Sequence, residues 1–118
     1  MNYQIIRSPR KYLEVISGDT PIATENDALQ LVALGAENNT DLLMIHYGAL
    51  AEDFFNLKTK TAGNILQKFI NYRIKAVAVI PKEIIQKGRF REFVLEINKG
   101  QSFRVYETRE AAETWLLQ

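Results

Sequence analysis

The sequence has no cysteine, one histidine and three prolines among 118 residues. Without cysteine there are no disulfides, no thiol catalysis and no thiolate metal ligands, and one histidine leaves a zinc site without its usual ligands. The net charge of +1 argues against a nucleic-acid binder driven by phosphate contacts and against a polybasic membrane binder. No apolar run reaches the length of a signal-peptide core or a membrane span, so we expect a cytoplasmic protein.

Motifs for cofactors and catalysis are missing as well. The chain contains no Gly-rich phosphate loop, no nucleophile elbow and no metal-binding pair of residues. We therefore expect no cofactor and no metal, and favour a non-enzymatic role while leaving enzyme activity open.

What is present is an ordinary globular composition, with 47% hydrophobic and 25% charged residues. This is enough apolar material for one hydrophobic core, so residues 1–118 are predicted to form a single domain. Its centre is the segment 41–81. Two nearly continuous apolar runs, LLMIH at 42–46 and KAVAVI at 75–80, are typical of strands covered on both faces.

The best helix of the chain lies between these two strands. Its apolar side is predicted from positions with a period of 3.6 residues, with an arginine at the C-terminal end: Ala62, Ile65, Leu66, Phe69, Ile70 and Arg73. Strand, helix and strand then make a right-handed βαβ unit.

The flanking segments extend this pattern. Residues 3–7 and 12–17 predict a hairpin, and residues 102–107 predict a strand with one wet face at the edge of the sheet. Thr24 with Asp27 predicts a capping box, and Gly35 would allow a second backbone to approach closely. A helix is predicted over 90–97, and Thr108 is predicted to cap a last helix with this apolar face: Ala111, Ala112, Trp115 and Leu116.

The order of elements is therefore β-β-α-β-α-β-α-β-α. It predicts an α/β fold with a mixed, mostly parallel five-stranded sheet flanked by helices.

The loop 47–61 is the candidate binding site because crevices form at the carboxyl ends of parallel strands. Of its adjacent aromatic residues, Phe54 and Phe55, one is predicted to line a pocket or partner surface, although both could simply pack against the core. Lys58, Thr59 and Thr61 lie at a predicted helix start, where an anion could bind or where a threonine could be only the N-cap.

His46 is the second candidate feature of this region. At the end of a predicted buried strand and near Asp53, it could act as a general base, or it could be a hydrogen-bonded structural residue. The basic residues further along are interpreted as a solvated face: Lys82, Lys87, Arg89, Arg91, Lys99 and Arg104.

The stretch 53–73, DFFNLKTKTAGNILQKFINYR, resembles the central motif of an uncharacterised bacterial family, the domain of unknown function numbered 4180. Similar segments follow at 91–93, 98–100 and 108–112, so the resemblance covers most of the chain from about Thr24 onward.

The element order in turn resembles STAS domains and SpoIIAA-like proteins. The resemblance implies a STAS-like domain with a phosphorylatable Ser or Thr where the loop enters the helix, at residues 58–61 here. In place of the Asp-Ser-type sequence of STAS domains this chain has Asn-Leu-Lys-Thr at 56–59.

Three functional hypotheses follow from these observations. The first is a STAS-like binding or regulatory module whose loop 47–61 takes a protein partner or a small anionic ligand. The second is a small enzyme that uses His46 and Asp53 on an anionic substrate, and the third is phosphorylation at Thr59 or Thr61. A homodimer through the strand 102–107 is left open, since Arg104 would oppose such pairing.

Overall fold

Five strands form one sheet whose spatial order follows the chain, β1-β2-β3-β4-β5. The computed structural model describes residues 2–18 and 20–118. The strands are β1 (Asn2–Ile6), β2 (Tyr12–Ser17), β3 (Leu42–His46), β4 (Lys75–Val79) and β5 (Phe103–Tyr106). The helices are α1 (Glu25–Glu37), α2 (Thr61–Asn71), α3 (Lys82–Ile85), α4 (Gly88–Ile97) and α5 (Arg109–Leu116).

The sheet is mixed and mostly parallel, which confirms the predicted fold class. β1 and β2 form an antiparallel hairpin, and β2, β3, β4 and β5 pair in parallel. The short α3 and three 3-10 turns between β3 and α2 add to the predicted order. The connections between successive parallel strands run in the same direction along the sheet and are expected to be right-handed. Their helices α1, α2 and α4 therefore cover the same face of the sheet.

Side chains alternate along each strand and so build two separate cores. Leu43 and Ile45 of β3 face the larger core beneath α1, α2 and α4. Leu42 and Met44 face the second core, where Trp115 of α5 is 2% exposed. The sheet is therefore buried on both faces at its centre, as the two apolar runs predicted.

The predicted helix start at Thr24 is confirmed as a full capping box. The Thr24 hydroxyl accepts from the Asp27 N–H at 3.1 Å, and the Asp27 carboxylate accepts from the Thr24 N–H at 3.0 Å. Gly35 also behaves as predicted, since a Cβ added there would lie 2.8 Å from the Thr40 carbonyl oxygen. Thr108 caps α5 by accepting from the Ala111 N–H.

Three positions on predicted apolar faces differ from prediction. Ile70 is 46% exposed and Ala111 is also exposed, because each lies at the margin of its helix's buried side. Arg73 lies beyond the end of α2 with φ of 56°, where the chain closes the helix by the Ile74 N–H donating to the Phe69 carbonyl at 2.8 Å.

Candidate functional site

A crevice of about 570 Å³ opens beyond the carboxyl end of β3. One wall is the loop that follows β3, and the other is the connection from α3 into α4. Its lining residues are Tyr47, Glu52, Phe55, Asn56, Leu57, Lys58, Ile84, Lys87, Gly88, Arg89 and Phe90. The crevice therefore lies where a parallel sheet is expected to place a binding site.

The loop wall is held in shape by 3-10 turns and backbone hydrogen bonds. Ile22 pairs with it on both sides, donating to the Ala49 carbonyl at 2.8 Å and accepting from the Ala51 N–H at 3.0 Å. Further along, the Asn56 side chain accepts from the Lys58 N–H at 3.2 Å. The loop is thus an ordered segment that is hydrogen-bonded to the chain before α1.

Aromatic rings form the floor of the crevice. Phe54 is 0% exposed and packs in the larger core, whereas Phe55 is partly buried and lines the crevice. The Phe55 ring lies 5.2 Å from the ring of Tyr47 and 5.2 Å from that of Phe90. Such tilted and edge-on packing fixes Phe55 in place, so that its uncovered side is a rigid apolar surface.

The charged residues of the crevice are mostly cationic. Lys58, Lys87 and Arg89 line it together with one acid, Glu52. The N-terminus of the ten-residue α4 reaches the same crevice through Gly88, Arg89 and Phe90, and no side chain caps it. An uncapped helix start carries free N–H donors and partial positive charge, which attract an anion.

The candidates predicted from the sequence divide between the crevice and its surroundings. Phe55 and Lys58 line the crevice, while Phe54 supports it from beneath. Asp53 is exposed and is not among the lining residues. The structure thus brings together part of the predicted set.

Thr59 and Thr61 serve the start of α2 and do not line the crevice. The Thr59 hydroxyl lies 2.7 Å from the carbonyl oxygens of Asp53 and Asn56, and it accepts from the Thr61 N–H at 3.2 Å. The N-cap position belongs to Lys60, with φ of 63°, and Thr61 is the first helical residue. The prediction that one of the two threonines is the N-cap residue is therefore wrong, because Lys60, which lies between them in the sequence, takes that position.

His46 pairs with Glu14 on the α5 face of the sheet. Its Nε2 lies 2.7 Å from a Glu14 carboxylate oxygen, and no hydrogen bond or ion pair joins it to Asp53 in the described chain. The two residues of the enzyme hypothesis are not brought together, because the His46 side chain points to the face opposite Phe54. Its partner comes from β2, 32 positions earlier.

Glu14 is the centre of a polar cluster that sequence reasoning missed. It is 2% exposed, and its carboxylate also accepts from the Arg109 Nε at 2.7 Å and from the Gln4 Nε2 at 2.7 Å. Burial alone would raise the pKa of Glu14, but the hydrogen bonds from Arg109, His46 and Gln4 outweigh it and hold the pKa at about 2. Glu14 is therefore a fixed, ionised group inside the fold.

The same cluster includes Tyr12 and Glu113. Burial, reinforced by the hydrogen bond to Glu113, raises the pKa of Tyr12, while Arg109 donates to its hydroxyl at 2.9 Å. The bond to Glu14 raises the pKa of Arg109. This network joins β2 to the start of α5. Its residues lie too far apart in the sequence to leave a local pattern that could have predicted it.

Sequence reasoning also missed one wall of the crevice. Lys87 and Arg89 were interpreted as part of a solvated face, yet both line the crevice. Their placement depends on α3 and on Gly88, which adopts φ of 49° between them. The glycine between Lys87 and Arg89 is the sequence signal that could have indicated a turn there, because glycine adopts positive φ without strain.

These features define a class, an α/β domain with one chain-ordered sheet and a crevice at the carboxyl ends of its parallel strands. The family model described as Domain of unknown function (DUF4180) matches residues 7–116. The chain therefore belongs to this family, as its central motif predicted. It matches no curated protein and no solved structure.

Two further properties concern only the part of the chain that the structure describes. None of its helices has the length and apolar character needed to cross a bilayer. No group of three or more His, Asp or Glu side chains among residues 2–18 and 20–118 is placed to hold a metal ion.

Proposed function

We propose that this protein is a non-enzymatic binding module that takes a small anionic ligand with an aromatic or apolar body into the crevice beside α4. The observation that carries the proposal is one crevice that combines an aromatic floor with three cationic side chains and a single acidic one. Its volume of about 570 Å³ falls within the range of small-molecule sites.

The ligand's two parts would meet different walls. Its body would lie on Phe55, between the rings of Tyr47 and Phe90, where apolar contact provides most of the affinity. Its anionic group would meet the start of α4, where Lys87 and Arg89 supply charge and the backbone supplies N–H donors. Glu52 would disfavour ligands with more than one negative charge.

We also propose a setting for this module, a STAS-like domain that regulates in the bacterial cytoplasm. The support is its element order, with a folded loop between β3 and α2 that forms one wall of the crevice. Occupation of the crevice would fix the loop and the α3–α4 connection relative to each other, which gives a ligand a means to alter that surface.

Ligand-observed NMR with three matched probes tests the proposal. Aromatic probes of one shape would carry a carboxylate, a neutral amide or an amine. We expect the carboxylate to bind, the amide to bind more weakly and the amine to show no binding. Equal binding of all three would overturn the anion preference, and binding of none would overturn the small-ligand site and favour a protein partner there.

Charge-neutralising variants locate the site. Lys87→Gln and Arg89→Gln should each weaken binding of the carboxylate about tenfold, as expected for a charged hydrogen bond near 1.4 kcal/mol. Lys99→Gln is the matched control, since Lys99 is exposed and does not line the crevice. A loss in the Lys99 variant equal to that in the other two would point to general charge attraction and contradict the assignment.

A further inference from the structure

The two edges of the sheet are finished in different ways. At β5 the side chain of Asn98 occupies the outer edge, donating to the Val105 carbonyl at 2.9 Å and accepting from the Val105 N–H at 2.8 Å. Arg104 lies on the same strand and donates to the Gly100 carbonyl at 2.8 Å. The Asn98 amide thus makes the two hydrogen bonds that an added strand would make with Val105, and it blocks further pairing at that position of β5.

At the opposite edge, β1, no side chain among the described residues makes hydrogen bonds to the backbone of the strand. Within the described residues β1 pairs only with β2, and its sequence NYQII contains neither charge nor proline. Along an antiparallel strand, alternate backbone N–H and C=O groups face away from the partner. β1 therefore presents hydrogen-bonding groups outward and has no lysine or proline of the kind that often protects an edge, while its register irregularity, between Asn2 and Tyr3, lies at the start of the strand.

A groove lies directly beside this edge. It has a volume of about 350 Å³ and is lined by Tyr3, Gln30, Leu31, Ala33, Leu34 and Glu37. Tyr3 belongs to β1 and is 47% exposed, and the other lining residues belong to α1. A strand added to β1 would thus find an apolar surface on the same side, which a bare backbone edge alone does not offer.

We infer that β1 is an assembly edge and that its partner is β1 of a second copy of this chain. Antiparallel pairing about a two-fold axis near Gln4 places Tyr3 opposite Ile5 of the other copy, on the side of the sheet covered by α1. Aromatic and β-branched residues are favourable partners across antiparallel strands. The uncharged sequence meets itself without repulsion, and two five-stranded sheets become one continuous sheet.

This assembly is independent of the ligand crevice, which is formed by other elements. Because β5 is blocked, pairing at β1 ends at two copies and does not continue into a fibre. A closed dimer, rather than an open chain, is the expected species.

Sedimentation equilibrium tests the stoichiometry. We expect a species of twice 13.5 kDa whose population rises with concentration. Tyr3→Lys places like charges near each other across the axis and should weaken association about tenfold or more. Tyr72→Lys is the matched control, because Tyr72 is 54% exposed and lies outside β1 and its groove, and it should leave association unchanged.

A second experiment uses the absence of native cysteine. Single variants Tyr3→Cys, Gln4→Cys and Ile5→Cys under mild oxidation should give disulfide-linked dimers at the position nearest the axis, since directly opposed Cβ atoms lie about 5 Å apart. Glu107→Cys beside β5 should give none.

A monomer at all concentrations would overturn the inference. So would a dimer that Tyr3→Lys leaves intact and that none of the β1 cysteines links. Circular dichroism of each variant checks that its fold is retained, above all for Gln4→Cys, which removes a hydrogen bond to Glu14.

Discussion

Glu14 shows how much one residue of this domain depends on its partners. A buried carboxylate is costly unless all its lone pairs are used, and here Arg109, His46 and Gln4 supply four hydrogen bonds. Glu14 lies in the middle of β2, and its side chain projects to the opposite face from Leu13 and Val15, towards α5. Removing one donor would leave charge in a place from which water is excluded.

Glu14 should make the stability of the domain depend on pH in the acid range. Its pKa lies at about 2 in the folded chain, against an ordinary value of 4.5. Since the folded pKa is depressed, its contribution is complete above the ordinary value and is lost as pH falls towards 2. Urea unfolding should therefore show Glu14→Gln less stable than the native chain by a few kcal/mol at neutral pH.

That difference in the free energy of unfolding should stay constant from neutral pH to about pH 5 and shrink as the pH falls further towards 2. The native chain and the variant share all other carboxylates, so the comparison removes their common contribution. A gap that stays constant down to about pH 3 would mean that the Glu14 charge is not what its partners stabilise.

Residues of this kind mark the boundary of what the sequence predicts. Thr24 and Asp27 were predictable because both halves of a capping box lie within four positions. Glu14 and Arg109 were not, because an ion pair that spans 95 positions leaves no local pattern. Phe55 and Lys58 could be predicted to lie at the site from their loop, but the opposite wall depended on how α3 turns the chain.

At the scale of elements, the close passage from α1 into β3 depends on the size of a single side chain. Gly35 lies where a Cβ would come within 2.8 Å of the Thr40 carbonyl oxygen, a backbone atom that cannot rotate away. Gly63, in α2, has nothing within 4 Å of an added Cβ and is exposed. Both glycines are helical, so intrinsic helix propensity alone would favour alanine at each.

The two alanine variants should therefore change stability in opposite directions. Gly63→Ala should raise the free energy of unfolding by about 0.5–1 kcal/mol, because alanine loses less conformational entropy on entering a helix. Gly35→Ala should lower it by about 1–3 kcal/mol, because the α1–β3 turn must move. Denaturant unfolding of both variants and the native chain measures these changes in the free energy of unfolding. A stabilised Gly35→Ala would show that the approach is not tight.

At the scale of the whole molecule, the two edges of the sheet decide how copies of the chain can meet. Asn98 reaches from the end of α4 to occupy the outer edge of β5, while the corresponding edge of β1 stays open. The domain thus has one edge suited to pairing and one that resists it, and the resistance comes from the Asn98 amide together with Arg104.

Asn98→Ala should weaken that resistance. The variant should lose about 1–2 kcal/mol of stability with its two hydrogen bonds, and it should form species larger than a dimer as the Val105 backbone becomes available. Lys99→Ala, at the adjacent exposed position, should do neither. Light scattering across a concentration series measures the effect, and an Asn98 variant that remains at the native size would show that β5 is protected by something else.

The bond between Glu14 and Arg109 also has a consequence for how the protein is made. Strands β1 to β5 leave the ribosome in the order in which they lie in the sheet, so each can join its neighbour as soon as it appears. Glu14 emerges early, but Arg109 is the first residue of the final helix. A nascent chain that has built most of its sheet already has Gln4 and His46 beside the Glu14 carboxylate but still lacks the Arg109 guanidinium, so the domain reaches its full stability only when α5 has been synthesised.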